Sequence, residues 1–290
     1  MNERKLRMMK KVFFLFPIIV IAALSSSAQE KSVEFRQLVE KRLRDENKTL
    51  AEVCPIDRNI VARRVFKDYG AMFIANRSVK SPWKCVFSDE KEVNSFQASV
   101  KSSTKSISGV SVTLQQAAMR TLDEAIAEAA RAGLKITPRG GSASKRSFAD
   151  TARIWNSRFE PALKHWTSRG RITTDEAEMV RRMNVIDQVT QVIRWEEQSI
   201  WFSTGFNRSI FSSVAAPGTS QHLSMVALDV TEFGNAKVRA ILNKHGWFQT
   251  IIDDTPHFTY LGHDEKDLPR YGLTPVERDG FKFWIPNFER

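Results

Sequence analysis

The segment SQHLSMVALDV, residues 220–230, constrains the fold most, because it carries His222 and Asp229 in a run otherwise typical of a buried strand. A straight strand would hold two residues seven positions apart at a distance of about 23 Å. Ligands of one zinc ion, each about 2.0–2.2 Å from the metal, lie only about 3–4 Å from one another. If both residues bind one metal, the chain has to turn between them. We predict that turn at residues 223–225 and a strand at 226–229.

A third ligand is available in DDTPHFTYLG, where His257 opens an apolar run and Asp254 precedes it by three residues. Pro256 disfavours helical backbone in the residue before it, so this segment is predicted to be a bend that directs both side chains into one pocket. Two imidazoles and a carboxylate with an open fourth position are typical of catalytic zinc sites, where a nearby carboxylate accepts a proton from water. The sequence therefore predicts a Zn²⁺ site with three ligands: His222, Asp229 and His257.

Helices are predicted mainly before residue 200 and short strands mainly after it. Helical spacing or caps mark residues 33–47, 114–132, 148–166, 173–193 and 236–245. Strand-like runs occupy residues 134–137, 200–203, 226–230, 247–252, 258–261 and 281–285. Residues 101–111 are rich in serine and are predicted to form a linker. This order favours an α+β fold in which a small antiparallel sheet carries the zinc site, helices flank the sheet, and an extra helical region lies at the N-terminus.

Three regions are predicted along the chain. Residues 1–28 combine a basic start, an apolar run of 13 residues and small residues up to Ala28, a pattern typical of a cleaved signal peptide. The alternative is an uncleaved membrane anchor, although the run is shorter than the roughly 20 residues that span a bilayer. Residues 29–105 form an N-terminal region with two cysteines, and residues 106–290 carry the zinc motifs.

Export would place Cys54 and Cys85 in an oxidising compartment, where they can form a disulfide; the alternative is two separate buried thiols. The formal net charge is +11, and removal of the five basic residues and one acidic residue in 1–28 leaves +7. For an exported protein, this basic excess favours attraction to an anionic polymer such as cell wall over binding to nucleic acid.

Two segments together, PGTSQHLSMVALDV and DDTPHFTYLG, resemble the signature of the VanY-type D-alanyl-D-alanine carboxypeptidases and related zinc peptidases that cut peptidoglycan stem peptides. The family pattern is P-G-x-S-x-H-x-x-G-x-A-x-D followed by E-x-x-H. The resemblance covers roughly residues 114–261, and the N-terminal hundred residues lie outside it. The matching positions are Pro217, Gly218, Ser220, His222, Ala227, Asp229 and His257.

The resemblance implies roles for further residues. Asp254 takes the position of the family's general-base glutamate, and Ser220 bonds the substrate or a ligand. The helix ending in AGLKIT and the segment RSFADTARIW are similar to the family's helix, strand and arginine segment. That match puts Arg146 on the arginine that contacts the substrate near the scissile carbonyl, and Arg139 and Arg208 are alternatives for this role.

Three departures from the family pattern bear on the site. Met225 stands where the family has glycine, and a positive φ there would cost about 1–2 kcal/mol. Asp254 is one methylene shorter than glutamate, which draws its carboxylate back by about 1.5 Å. A rearranged bend, use of Asp253 as the base, or an inactive site are therefore alternatives. Thr151 holds the position at which the family has glutamine.

The sequence thus supports three hypotheses. The first is an exported zinc metallopeptidase, periplasmic or secreted, that hydrolyses peptidoglycan stem peptides and binds neither nucleic acid nor, after signal cleavage, a membrane. The second is a non-catalytic cell-wall peptide-binding protein that retains the fold. The third is an exported globular protein without metal. The remaining histidines, His165, His245 and His263, are expected to be structural or exposed.

Overall fold

The computed structural model describes residues 34–288, so the predicted signal peptide lies outside the described residues. Between residues 34 and 288, no helix is long and apolar enough to cross a membrane. The α-helices are α1 (Phe35–Asp45), α2 (Leu50–Val53), α3 (Ile60–Tyr69), α4 (Glu90–Ser99), α5 (Gln116–Arg131), α6 (Phe148–Ser168), α7 (Thr174–Arg182), α8 (Val185–Glu197) and α9 (Ala236–Lys244).

Within residues 34–288, the strands form three small antiparallel sheets. They are β1 (Ser102–Ile107), β2 (Val110–Gln115), β3 (Ala227–Asp229), β4 (Trp247–Phe248), β5 (His257–Tyr260), β6 (Leu273–Arg278) and β7 (Phe281–Pro286). The first two strands and the last two strands make hairpins, and the central sheet has the order β3-β5-β4. Helix α9 packs on β4 and on α5. This arrangement confirms the predicted α+β class, with a small antiparallel sheet flanked by helices and a helical N-terminal region.

A disulfide joins Cys54, at the end of α2, to Cys85, in the segment before α4, as predicted. The bond closes a loop of 31 residues, which stabilises the fold by about 3–4 kcal/mol in the chain-entropy model. Residues 34–288 belong to one compact unit. The proposed division of the chain near residue 105 stays a prediction.

The predicted linker at 101–111 is wrong, because most of it belongs to the hairpin of β1 and β2. Ser108 and Gly109 both have positive φ, as two-residue hairpin turns require. Strand β1 is largely exposed, so its many serines face water, while β2 buries Val112 and Leu114. Serine content therefore indicated exposure here and not the absence of a strand.

Two predicted strands are absent from the described residues. Residues 134–137 form no strand, and the segment reaches only an isolated bridge between Pro138 and Val230, since proline has no N–H to continue a ladder. Residues 200–203 form a loop whose Phe202 stacks on Phe159 and Trp195. The predicted helix at 173–193 begins at the expected capping box but divides into α7 and α8, because Asn184 caps a new helix.

Candidate metal centre

His222 lies on a short 3₁₀ helix, Gln221–Ser224, whose N-cap is Ser220. The Ser220 hydroxyl accepts a hydrogen bond from the backbone N–H of His222 at 3.3 Å, which caps the helix. The next residue after the helix, Met225, has φ 54° and ψ 36° and turns the chain into β3. This confirms the predicted turn. The backbone of Met225 has a positive φ, which costs a residue other than glycine about 1–2 kcal/mol. The side chain of Met225 is buried beside Phe87 and Leu223, and this burial offsets the strain.

Asp229 and His257 lie directly opposite each other on β3 and β5. The backbone N–H of Asp229 donates to the carbonyl of Ala143, and its carbonyl accepts from the N–H of Arg139, each at 2.8 Å. The Asp229–His257 pair is therefore a non-hydrogen-bonded pair, the kind in which opposite side chains lie closest. The sheet register thus brings a carboxylate and an imidazole together on one face.

The three predicted ligands converge on one point. Nε2 of His222 lies 3.3 Å from Oδ1 of Asp229, Nδ1 of His257 lies 3.3 Å from the same oxygen, and the two nitrogens are 3.1 Å apart. Tetrahedral zinc with ligands at about 2.0–2.2 Å requires separations of about 3.3–3.5 Å between ligand atoms. Two sides of the triangle match that requirement, and the third, between the two nitrogens, is shorter by about 0.2 Å.

Hydrogen bonds on the far side of each ring determine which nitrogen faces the triangle. Nδ1 of His222 lies 2.7 Å from the carbonyl oxygen of Ser144. A carbonyl only accepts hydrogen bonds, so Nδ1 carries the hydrogen and Nε2 presents its lone pair.

His257 is oriented in the same way by Gln221. Its Nε2–H donates to Oε1 of Gln221 at 2.8 Å, and the Gln221 amide nitrogen donates to the carbonyl of Tyr69 at 2.8 Å. Because a carbonyl can only accept a hydrogen bond, the amide nitrogen of Gln221 must face Tyr69. The amide oxygen of Gln221 then faces His257. Nδ1 of His257 therefore also presents a lone pair to the triangle.

The three atoms of the cluster therefore all present lone pairs to one another, an arrangement that a bound cation would stabilise. Burial, and then the charge of Arg146, lower the pKa of His222 to about 4, so a proton does not occupy the cluster at neutral pH. Burial alone would raise the pKa of Asp229, but the two histidines hold it well below its usual range. Two neutral imidazoles and one carboxylate are a ligand set suited to Zn²⁺, and the residues present fit that ion.

Arg146 contacts the ligand carboxylate itself. Its guanidinium donates to Oδ2 of Asp229 at 2.6 Å and to the carbonyl of Ser142 at 2.9 Å. The Asp229 side chain is 17% exposed, so the cluster is reached by solvent on this side. The pairing with Arg146 leaves Oδ1 for a metal and favours monodentate binding.

The alternative arginines lie elsewhere. The guanidinium of Arg139 lies over the ring of Phe233, 5.4 Å from its centroid, although its backbone N–H bonds Asp229. Arg208 pairs with Asp253 at 3.3 Å. Of the three candidates, Arg146 is the one whose side chain contacts a ligand of the cluster.

Asp254 lies in the predicted bend before β5, where its carbonyl accepts the N–H of His257 at 3.1 Å. Burial, with a further contribution from the charge of Asp229, raises the pKa of Asp254 to about 7, while His257 and Arg146 act in the opposite direction. A carboxyl group of this acidity can both accept and return a proton near neutral pH. The alternative base, Asp253, is instead paired with Arg278 at 2.9 Å and with Arg208.

The roles of several residues that position the metal ligands were not predicted from the sequence. Gln221 lies inside the motif, where a glutamine next to a histidine in an apolar run was a usable signal. Ser144 and Tyr69 contribute only backbone carbonyls, which have no sequence signature. Gln97 of α4 donates to the carbonyls of Arg146 at 2.8 Å and Leu223 at 3.1 Å, so the N-terminal region supports the metal cluster.

The remaining histidines have the structural roles expected of them. His165 stacks on Phe206, and His245 pairs with Glu128 at 2.9 Å. His263 bonds the carbonyl of Ile74 at 2.8 Å and so does not support the cluster.

Replacing Gln221 with methionine is expected to lower zinc affinity 10- to 100-fold, because His257 loses the acceptor that orients its ring. Zinc affinity is measured by competition with a chelating dye. Gln115→Met is the matched control: Gln115 is also buried and its amide donates to the carbonyls of Lys80 and Ser224, but it contacts no imidazole. Equal zinc affinity in the two variants would show that Gln221 does not orient the ligand.

No protein-family model and no curated protein matches the chain. One solved structure resembles it in part: a mutant of the vancomycin-resistance D,D-pentapeptidase VanY, from a VanB-type resistance cassette, in complex with Zn(II). The two chains are 14% identical, with 57% of this chain and 82% of the other covered, and the TM-score is 0.34. Such a likeness assigns neither a family nor a function, so the chemistry of this site has to follow from its own geometry.

Proposed function

We propose that the protein is an exported, zinc-dependent peptidase that hydrolyses peptidoglycan stem peptides, in the manner of a D-Ala-D-Ala carboxypeptidase. The observation that carries the proposal is the triangle of His222, Asp229 and His257. The hydrogen-bond partners of these residues leave three unprotonated atoms whose lone pairs face one another. The choice of stem peptides as substrate rests on the resemblance of the two sequence motifs to the zinc peptidases of cell-wall metabolism.

The three ligands would hold Zn²⁺, which when bound polarises a substrate carbonyl and acidifies water. Asp254 takes a proton from the attacking water and returns it to the leaving amine, as its raised pKa allows. Arg146 uses only part of its five donors on Asp229 and Ser142, and the others steady the substrate and its developing oxyanion. Ser220 positions His222, and its hydroxyl proton can still be donated to a ligand.

We further propose that the protein acts in the periplasm or outside the cell, where stem peptides are found. The leader-like sequence of residues 1–28 supports export. The disulfide between Cys54 and Cys85 also supports it, since such bonds persist in oxidising compartments. The basic charge of the chain suits an anionic cell-wall polymer. Neither nucleic acid nor a membrane is proposed as a partner.

Replacing Asp254 with asparagine is expected to lower turnover about 10²- to 10⁴-fold while zinc affinity stays unchanged, because the amide cannot accept the proton of water. The wild type and the variant, both loaded with zinc, are incubated with purified muropeptides, and loss of peptide is followed by mass spectrometry. Asp45→Asn is the control, since that carboxylate ends α1, pairs with Arg77 at 2.7 Å and is given no role in proton transfer or substrate binding.

Two results would contradict the proposal. The first is no peptide loss by the zinc-bound wild type. The second is equal turnover by the wild type and Asp254→Asn, which would remove Asp254 as the base. Zinc retention and affinity for stem peptides without turnover, unchanged in Asp254→Glu, would favour the non-catalytic binding protein.

A further inference from the structure

A cavity of about 460 Å³ lies beside the turn that leads into Asp254. Its wall includes Ile251 and Asp253 of that turn, and the backbone N–H of Asp254 donates to the carbonyl of Ile251 at 3.3 Å. The volume is in the range of pockets that bind small organic groups, about 300–1,000 Å³. The cavity is therefore large enough for part of a substrate and adjoins the proposed base in the chain.

A second wall of the cavity is also shared with the metal centre. Helix α3 contributes Arg64, Lys67 and Asp68, and the next residue, Tyr69, supplies the carbonyl that orients Gln221. Two segments of the chain, the end of α3 and the turn before β5, thus contribute both to the cavity and to the surroundings of the proposed metal site.

The cavity combines apolar walls with a basic rim. Phe211, Ile251 and Phe288 line its walls, and Arg208 and Arg278 lie at its rim. A hydrocarbon chain fits the walls, since burying it removes apolar surface from water.

The two rim arginines share a single carboxylate. Asp253 lies 2.9 Å from Arg278 and 3.3 Å from Arg208, and its side chain is only 11% exposed. The arginine side chains are 51% and 59% exposed, so their other N–H groups face solvent. One positive charge of this trio is uncompensated, and a guanidinium binds a carboxylate with matched geometry.

The neighbouring Arg64 does not add to this excess. It pairs with Asp68, donates to the hydroxyl of Ser209 at 2.9 Å, and lies 3.9 Å from the buried carboxylate of Glu196. The basic character of the rim therefore comes from Arg208 and Arg278, with Lys67 nearby.

We propose that this cavity is a substrate subsite that selects peptides in which a residue near the cleaved bond combines a hydrocarbon chain with a carboxylate. The inference rests on the proposed peptidase function and adds to it a preference among substrates. The hydrocarbon part lies against the aromatic and isoleucine walls, and the carboxylate bonds Arg208 and Arg278.

The test uses pairs of synthetic stem peptides that differ only in one side-chain carboxylate or its carboxamide. For the zinc-loaded full chain, kcat/KM is expected to be 10- to 100-fold higher for the carboxylate peptide, mainly through a lower KM. Arg208→Gln is expected to reduce this preference to less than about threefold. Arg182→Gln is the matched control, because that exposed arginine pairs with Glu178 on α7, outside the cavity.

The single substitution Arg208→Gln is not expected to destabilise the fold, so lost stability would not imitate a lost preference. Arg208→Gln leaves Arg278 on Asp253, whereas a double substitution would leave that largely buried carboxylate without an arginine. The single variant is therefore the decisive one, and its fold is checked by thermal unfolding.

Failure of the subsite and failure of the proposed function give different results. Cleavage of both peptides at equal rates, unchanged in Arg208→Gln, would overturn the subsite and leave the peptidase in place. To separate binding from turnover, calorimetry measures the affinity of zinc-loaded Asp254→Asn for each peptide. Tighter binding of the carboxylate peptide, lost in the further variant Arg208→Gln, would support the subsite even if the wild type cleaves neither peptide.

Discussion

Replacing His257 with alanine is expected to lower the affinity for Zn²⁺ about a thousand-fold and to abolish peptide hydrolysis. Structural zinc sites bind with about 10–16 kcal/mol, so one of three protein ligands accounts for roughly 3–5 kcal/mol, or about a factor of 10³. The ring of His257 supplies one corner of the triangle, and its other nitrogen is already bonded to Gln221. Among residues 34–288, no other cluster of three potential ligand side chains is found to replace it.

Competition with a chelating dye measures the affinity, and thermal unfolding gives an independent measure. Zinc at a thousand times its dissociation constant stabilises the wild type by about 4 kcal/mol, and this gain should vanish in the variant. His263→Ala is the matched control, because His263 follows the same strand but bonds Ile74 and stacks on Tyr271. A His257→Ala variant with the zinc affinity of the wild type would place the metal elsewhere.

Replacing Gly218 with alanine is expected to destabilise the fold by more than about 4 kcal/mol, in the class of severe overpacking. Gly218 has φ +79°, and a Cβ atom there would lie 2.0 Å from the carbonyl oxygen of Phe87. That backbone cannot withdraw freely, since the N–H of Phe87 donates to the carbonyl of Gly218 at 2.8 Å. The N–H of Gly218 also donates to the hydroxyl of Thr151 at 3.2 Å.

Gly109→Ala is a close control for this substitution, because Gly109 has the same φ of +79° but nothing within 4 Å of its added Cβ. It should lose only the cost of the left-handed conformation, about 1–2 kcal/mol. Denaturant unfolding measures both variants, and zinc affinity should fall only in Gly218→Ala, because Gly218 leads directly into Ser220 and His222. Equal destabilisation of the two variants would mean that the contact with Phe87 is not what requires glycine.

The local geometry of the metal cluster could be predicted because it depends on short segments. Two ligands seven residues apart require a turn, and the structure has it at Met225, where φ is positive. Pro256 correctly indicated the bend before His257. The capping residues Thr173 and Glu176 marked the start of α7, although the division at Asn184 was missed.

Other parts of the fold were missed because their signals are not local. The hairpin of β1 and β2 is exposed on one strand, so its apolar alternation is weak. The runs at 134–137 and 200–203 have strand-like composition, but one stops at Pro138 and the other buries Phe202 between aromatic rings. Composition indicates burial in such cases without indicating which neighbour completes it.

The identity of the candidate ligands and of the proposed base was determined by the sequence, because residue type and spacing decide which atoms can reach one metal. Only the tertiary structure decided how those atoms are presented. The carbonyl of Ser144 selects the tautomer of His222, and the carbonyl of Tyr69, through Gln221, selects that of His257. Arg146 binds the second oxygen of Asp229. These contacts join segments far apart in the chain, and two of them end on backbone carbonyls, which every residue possesses and no sequence pattern reveals.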